Sequence, residues 1–106
     1  MIYIAHPYAN NPINKYRVNK IIRKLSARTE ATFICPINAF GDLYKRVDYD
    51  KGMNYCLELL NVCSMAVFLG DWYSSKGCRI EHEYCKRNKI RIVCADELME
   101  MFKIKL

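Results

Sequence analysis

The segment Asp71–Glu83, DWYSSKGCRIEHE, holds the residues whose types and spacing point most directly to chemistry. It follows an apolar run, Met65–Leu69, and leads into a stretch with helical character. A buried strand, a short polar turn with Ser and Gly, and then a helix is how an α/β protein builds an anion pocket. The backbone N–H groups at the helix start face the ligand, and the helix dipole favours negative charge there. Ser74, Ser75, Lys76 and Gly77 are therefore a candidate phosphate cradle, with hydroxyl and N–H donors and a glycine that permits close backbone approach. It is not a Walker loop, because G-x-x-x-x-G-K-[ST] is absent. Ser75 has a second role open to it, as a plain N-cap contributing about 1 kcal/mol to the helix. Glu81 falls about one turn into that helix. A carboxylate does not bind an anion, so it either faces solvent and complements the dipole or it does chemistry. Glu83, two residues on, points elsewhere on the helix and serves as an internal comparison.

Other residues acquire interest from position. Tyr3, in the first apolar run, either reaches that carboxylate with its hydroxyl or is an ordinary core tyrosine. His6, at the start of a polar loop, is a proton donor or a loop histidine with a backbone partner. Trp72 and Tyr73 either stack on a base or cover the edge of the core. Asp71 closes the third apolar run and is a further candidate for reading a ligand.

The elements that must position these residues alternate. Met1–Ala5 reads as a short buried strand, followed by the loop His6–Asn11. Asn11 caps a helix with Pro12 in its first turn, and Val18, Ile21, Ile22 and Leu25 give its apolar stripe. Thr32–Cys35 is a second strand, stopped by Pro36. Pro36–Tyr49 lacks periodicity and is expected to be one long loop of functional importance. Met53, Cys56, Leu57 and Leu60 mark a second helix, Met65–Leu69 a third strand, Gly77–Asn88 a third helix, Ile90–Cys94 a fourth strand, and Asp96–Phe102 a closing helix. Strands alternating with helices call for a parallel sheet covered on both faces. The expectation is a flavodoxin-like or Rossmann-like α/β three-layer sandwich with a small sheet of four to five parallel strands, in the order 2-1-3-4. Its switch point lies between the first and third strands, where the loops His6–Asn11 and Gly70–Gly77 meet. His6, Pro7 and Tyr8 are thereby brought opposite Ser74–Gly77.

Composition bounds the rest. A chain of 106 residues makes one domain, burying about two-thirds of its unfolded surface. No stretch approaches membrane-span length and Met1 leads directly into a strand, so a cytoplasmic protein without a targeting segment is expected. Cys35, Cys56, Cys63, Cys78, Cys85 and Cys94 lie mostly in apolar runs without a C-x-x-C pair and read as reduced core thiols. Neither His6 nor His82 has a partner at zinc-site spacing, so no metal or other cofactor is expected. The net charge is +6, with bases at Lys20, Arg23, Lys24 and Arg28 and at Lys86, Arg87, Lys89 and Arg91. These read as solvated helix faces rather than a patch for a nucleic-acid polymer or a membrane, although a positive field would recruit a small anion.

The opening IYIAHPY and the segment SSKGCRIEHEYCKRNKIRIV resemble, in order and spacing, the nucleoside 2-deoxyribosyltransferase-like family. The resemblance is strongest to its compact phage- and bacteria-associated relatives, and extends to the 2′-deoxynucleoside 5′-phosphate N-hydrolases. It implies that Glu81 is the nucleophile that forms a glycosyl ester at the anomeric carbon, as in a retaining glycosidase. It further implies that Tyr3 orients this carboxylate, that Ser75 holds a 5′-phosphate, and that Trp72 or Tyr8 lies against the base. A homo-oligomer with pockets completed by a neighbouring subunit is also implied. The apolar residues Leu98, Met99, Met101 and Phe102 fit such an interface, or else pack on their own sheet. Two departures stand out. The family's general acid falls near Cys56, leaving Asp48, Asp50, Glu58 or Asp71 as substitutes, and His6 replaces a small residue before Pro7.

Three functions follow. The first is N-glycosidic cleavage of a nucleoside or nucleotide, or deoxyribosyl transfer, through Glu81. The second is a nucleotide-binding module that uses the same pocket without catalysis. The third is a small interaction domain in which the polar turn only caps a helix.

Overall fold

The computed structural model describes residues 1–106. Four short strands, β1 (Ile2–Ala5), β2 (Phe33–Ile34), β3 (Met65–Phe68) and β4 (Arg91–Cys94), form one all-parallel sheet in the order β2-β1-β3-β4. The helices are α1 (Pro12–Ser26), α2 (Pro36–Phe40), α3 (Tyr49–Asn61), α4 (Lys76–Arg87) and α5 (Ala95–Phe102). The fold is thus the flavodoxin- or Rossmann-like sandwich, with four strands.

Alternation along β1 divides its side chains between two cores. Ile2 and Ile4 pack with Val18 and Leu25 of α1 and Leu98 of α5. Tyr3 and Ala5 face the other way, toward Leu60 of α3 and Cys78 and Cys85 of α4. The sheet is therefore the middle layer of three, and Tyr3 lies on the face covered by α3 and α4. At the edges, β2 is only two residues long, and Arg91 and Cys94 of β4 are exposed. Short or charged edge strands resist pairing with further chains.

Helix limits follow local chemistry. The Asn11 side chain accepts from the Ile13 N–H at 3.0 Å and caps α1, with Pro12 in its first turn. Gly70 follows β3 with φ +63°, a backbone that glycine adopts without steric penalty. Five cysteines are buried, Cys94 is exposed, and none is in a disulfide. Leu98 is buried in the protein's own core and Phe102 packs edge-on against Phe33, so these two members of the apolar C-terminal stretch cover their own sheet.

One expectation is corrected. Pro36–Tyr49 is not a single loop. It contains α2 and a 3-10 turn over Leu43–Lys45 before α3 begins at Tyr49. The helix is five residues long, too short for a 3.6-residue period to register in sequence, yet Pro36 stands in its first turn, where proline belongs. No helix is long and apolar enough to cross a membrane.

Candidate active site

α4 docks on the sheet through Cys78, Glu81 and Cys85, at the i, i+3, i+7 spacing of a core-facing stripe. Glu81 thus occupies a position where a leucine would serve stability. It is 5% exposed and is the only buried polar or charged side chain in the protein. The Tyr3 hydroxyl, itself fully buried, donates to Glu81 Oε2. None of the three salt bridges reaches Glu81. Burial without a cation pushes its carboxyl from the ordinary 4.5 up to about 7, and the Tyr3 hydrogen bond pulls against that rise. Tyr3 is raised well above its ordinary value, first by burial and then by the Glu81 charge. Glu83, by contrast, is exposed and lies 3.8 Å from Lys86.

Glu81 lines a cavity of about 470 Å³, a volume within the range of small-molecule sites, and the buried Tyr3 holds it from outside the cavity wall. Its walls come from the ends of several elements. The β1–α1 loop contributes His6, Tyr8, Ala9 and Asn10, and the start of α2 contributes Pro36 and Ile37. Tyr44 enters from the 3-10 turn. Asp48 and α3 supply Tyr49, Gly52, Met53 and Cys56, and the head of α4 supplies Ser75, Lys76, Gly77, Cys78 and Glu81. This is the switch point beyond the strand carboxyl ends, where open parallel sheets bind ligands. Pro7, Tyr8, Ala9, Asp71, Ser74 and Ser75 line an adjoining groove of about 210 Å³.

Tyr44 is the least anticipated wall residue. Its hydroxyl shares a hydrogen bond with Cys56 Sγ at 2.8 Å, and its ring rests against α3 where Gly52 has no side chain. A Cβ at Gly52 would stand 3.2 Å from Tyr44 Cδ1. Burial raises both groups, with Cys56 reaching about 11, so each keeps its proton at neutral pH. His6 Nδ1–H donates to the Pro7 carbonyl at 2.8 Å, which fixes the ring and leaves Nε2 free of that bond.

The Ser75 side chain accepts from the Cys78 N–H at 3.3 Å and caps α4, so the capping role is realised while its hydroxyl also lines the cavity. Lys76 Nζ sits 4.9 Å from the centre of the Tyr49 ring, a cation–π contact at the same wall. A Cβ on Gly77 would meet Met53 Sδ at 3.4 Å and the Tyr49 hydroxyl at 3.5 Å, narrowing the space between α3 and α4. Trp72 is not in the cavity wall. It stacks on His82 at 4.4 Å and packs on Phe68. Of the residues considered as a proton donor, Asp48 lines the cavity but caps α3 by accepting from the Lys51 N–H at 2.8 Å. Asp71 lines the groove, and Asp50 and Glu58 are exposed outside both spaces. No group of three or more His, Cys, Asp and Glu side chains is placed to hold a metal ion.

A family model described as a domain of unknown function (DUF4406) matches residues 1–94, which span every strand and every residue of the cavity wall. The chain belongs to the DUF4406 family. No curated protein and no solved structure matches it. In this DUF4406 domain the sequence pattern points to Glu81, Tyr3 and the loops His6–Asn11 and Gly70–Gly77. It gives no site role to Tyr44 or Tyr49, and to Met53 only a place in the apolar stripe of the second helix; the stretch that carries Tyr44 has no periodicity of its own. One signal for Glu81 was present but unused: a carboxylate between two cysteines at core spacing on the α4 stripe.

Proposed function

We propose that this DUF4406 domain cleaves the N-glycosidic bond of a nucleoside or nucleotide, by hydrolysis or by deoxyribosyl transfer, with Glu81 as the nucleophile. The observation that carries the reading is the buried Glu81 carboxylate, held by the Tyr3 hydroxyl, lining a cavity and without a cation beside it. Such a group opposes folding, and strongly shifted carboxylates in clefts accompany catalysis. The resemblance to nucleoside 2-deoxyribosyltransferase-like proteins supports the same assignment.

In this mechanism an ionised Glu81 oxygen attacks C1′ of the sugar as the bond from C1′ to the base nitrogen breaks. The electron pair leaves with the base, and the base nitrogen takes a proton from the cavity wall, where Tyr44 and His6 stand as the donor side chains. Tyr3 holds the carboxylate in line and sheds its hydrogen bond onto the ester oxygen. Water, or the nitrogen of a second base, then attacks C1′ as the C1′–Glu81 ester bond breaks, gives its proton back to the wall group that had protonated the leaving base, and frees Glu81 as the carboxylate. Lys76 and the head of α4 meet the phosphate of a nucleotide, and Tyr8, Tyr44 and Tyr49 offer flat faces to the base.

The test is incubation with a panel of nucleosides and nucleoside 5′-phosphates, read by mass spectrometry for free base, with Glu81→Gln in parallel. Base release by the wild type, with none from the variant and the glycosylated Glu81 peptide trapped, supports the reading. Intact substrates throughout would sink it. A second reading, binding without turnover, rests on the Tyr44–Cys56 pair standing where a carboxylic acid is expected. Affinity without base release would establish it.

A further inference from the structure

The two basic clusters of the chain, alike in sequence, differ in the structure. At the end of α4 and on β4, Lys86 lies 3.8 Å from Glu83, and Arg91 pairs with Glu97 at 2.8 Å. On α1, Lys15, Arg17, Lys20, Arg23 and Lys24, with Arg28 just beyond, are all exposed and enter no salt bridge. Residues 1–29 hold these six cations and no Asp or Glu, whereas residues 30–106 carry eleven Lys and Arg against eleven Asp and Glu. The whole net charge of +6 therefore belongs to one helix and the turn after it.

Two apolar side chains are exposed among these charges, Ile13 at 57% and Tyr16 at 62%. With 3.6 residues per turn, Ile13, Arg17, Lys20 and Lys24 fall on one face, and Tyr16 borders it. That face is turned away from Val18 and Leu25, which fasten α1 to the sheet. The cations of that face, Arg17, Lys20 and Lys24, stand three and four residues apart, about 4.5–6 Å along the helix axis, a row that a flexible phosphate backbone can follow. No apolar groove accompanies them, so an acidic peptide would gain charge contacts and nothing more. An exposed aromatic ring among cations is how proteins hold unpaired bases, because the ring stacks on any base while the cations follow the backbone.

We propose that the outward face of α1 binds single-stranded nucleic acid, with Arg17, Lys20, Lys24 and Arg28 on the phosphates and Tyr16 stacked on a base. The surface is separate from the cavity and does not depend on what the cavity does. It revises the sequence-based expectation of a merely solvated face, because none of these charges is answered by a neighbour.

The test is fluorescence anisotropy with a labelled 20-nucleotide oligo-dT over a series of salt concentrations. Three variants accompany the wild type: R17E/K20E/K24E, Tyr16→Ala, and K86E/R87E/K89E, which removes the same net charge from the other cluster. The expected log–log salt slope is about −3 to −4, as for four to six neutralised phosphates on a single strand. The α1 triple variant should lose at least about tenfold in affinity, and Tyr16→Ala about fivefold with its slope unchanged. The control triple variant should stay within about threefold of the wild type. No binding by the wild type, equal losses in the two triple variants, or an unaffected Tyr16→Ala would each overturn the proposal. So would binding to phosphatidylserine vesicles with none to the oligonucleotide. Far-UV circular dichroism confirms folding, and Tyr16→Ala, an exposed single change, keeps the test valid should a triple variant misfold.

Discussion

Tyr3 and Glu81, 78 residues apart in the chain, meet in one buried hydrogen bond between β1 and α4. The tyrosine donates and the carboxylate accepts, and no second partner for Glu81 stands nearby. Much of the chemistry expected of this protein depends on that pair.

Protein stability should fall as pH rises from about 4.5 to about 7. Glu81 ionises near 4.5 when unfolded and near 7 when folded, so across that window the folded state holds the extra proton. Its contribution is fully present below 4.5 and lost as pH passes through 7, a difference of about 3 kcal/mol. Urea denaturation of wild type and Glu81→Gln at pH 4.5 and 8 measures this. The variant should lack most of the fall and be the more stable protein at pH 8. Parallel curves for the two proteins would refute the assignment.

Tyr3→Phe should raise the Glu81 pKa further, because the lost hydrogen bond is what holds it down. The unpartnered carboxylate should also destabilise the fold by about 1–3 kcal/mol. Carbon-13 NMR of the Glu81 carboxyl reads the titration directly. An unmoved midpoint would show that Tyr3 does not hold the group.

Where turnover is found, kcat/KM should rise with pH through about 7, since only ionised Glu81 attacks. Tyr3→Phe should shift that limb upward. A profile flat from pH 5 to 9 would remove Glu81 from the role of nucleophile.

Gly52→Ala tests the seat of Tyr44. In an open helix this change stabilises by about 1 kcal/mol. Here the new Cβ would press on the Tyr44 ring at 3.2 Å, so the gain should vanish and ligand affinity should fall. Tyr44→Phe should leave the Cys56 thiol without its partner at a loss of about 1 kcal/mol. Thermal unfolding and ligand titration of both variants read these effects. Full stabilisation by Gly52→Ala with unchanged affinity would place Tyr44 outside the site.

Lys76→Ala should weaken binding of a nucleoside 5′-phosphate at least about fivefold and leave the unphosphorylated nucleoside unaffected, as expected for one lost charge-assisted contact. Ser75→Ala should cost about 1 kcal/mol of stability through the lost cap on α4, whatever the ligand. Calorimetric titration with matched ligand pairs separates the two, and equal losses for both ligands would exclude a phosphate contact at Lys76.

The layers were legible from residue pattern alone. Apolar runs alternating with amphipathic stripes require a parallel sheet, and the right-handed crossover leaves few orders besides 2-1-3-4. That topology brings the His6–Asn11 and Gly70–Gly77 loops together, which is why His6, Tyr8, Ser75, Lys76 and Gly77 were legible as neighbours. Period and topology assign faces and loops, but they do not say which side chain touches which. Packing in the folded chain sets Trp72 on His82 rather than in the cavity, and brings Tyr44, from a stretch too short to show a period, against Gly52 and Cys56 in the wall. It likewise puts Glu81 inside under Tyr3 and Glu83 outside, since a residue's burial depends on what its helix packs against.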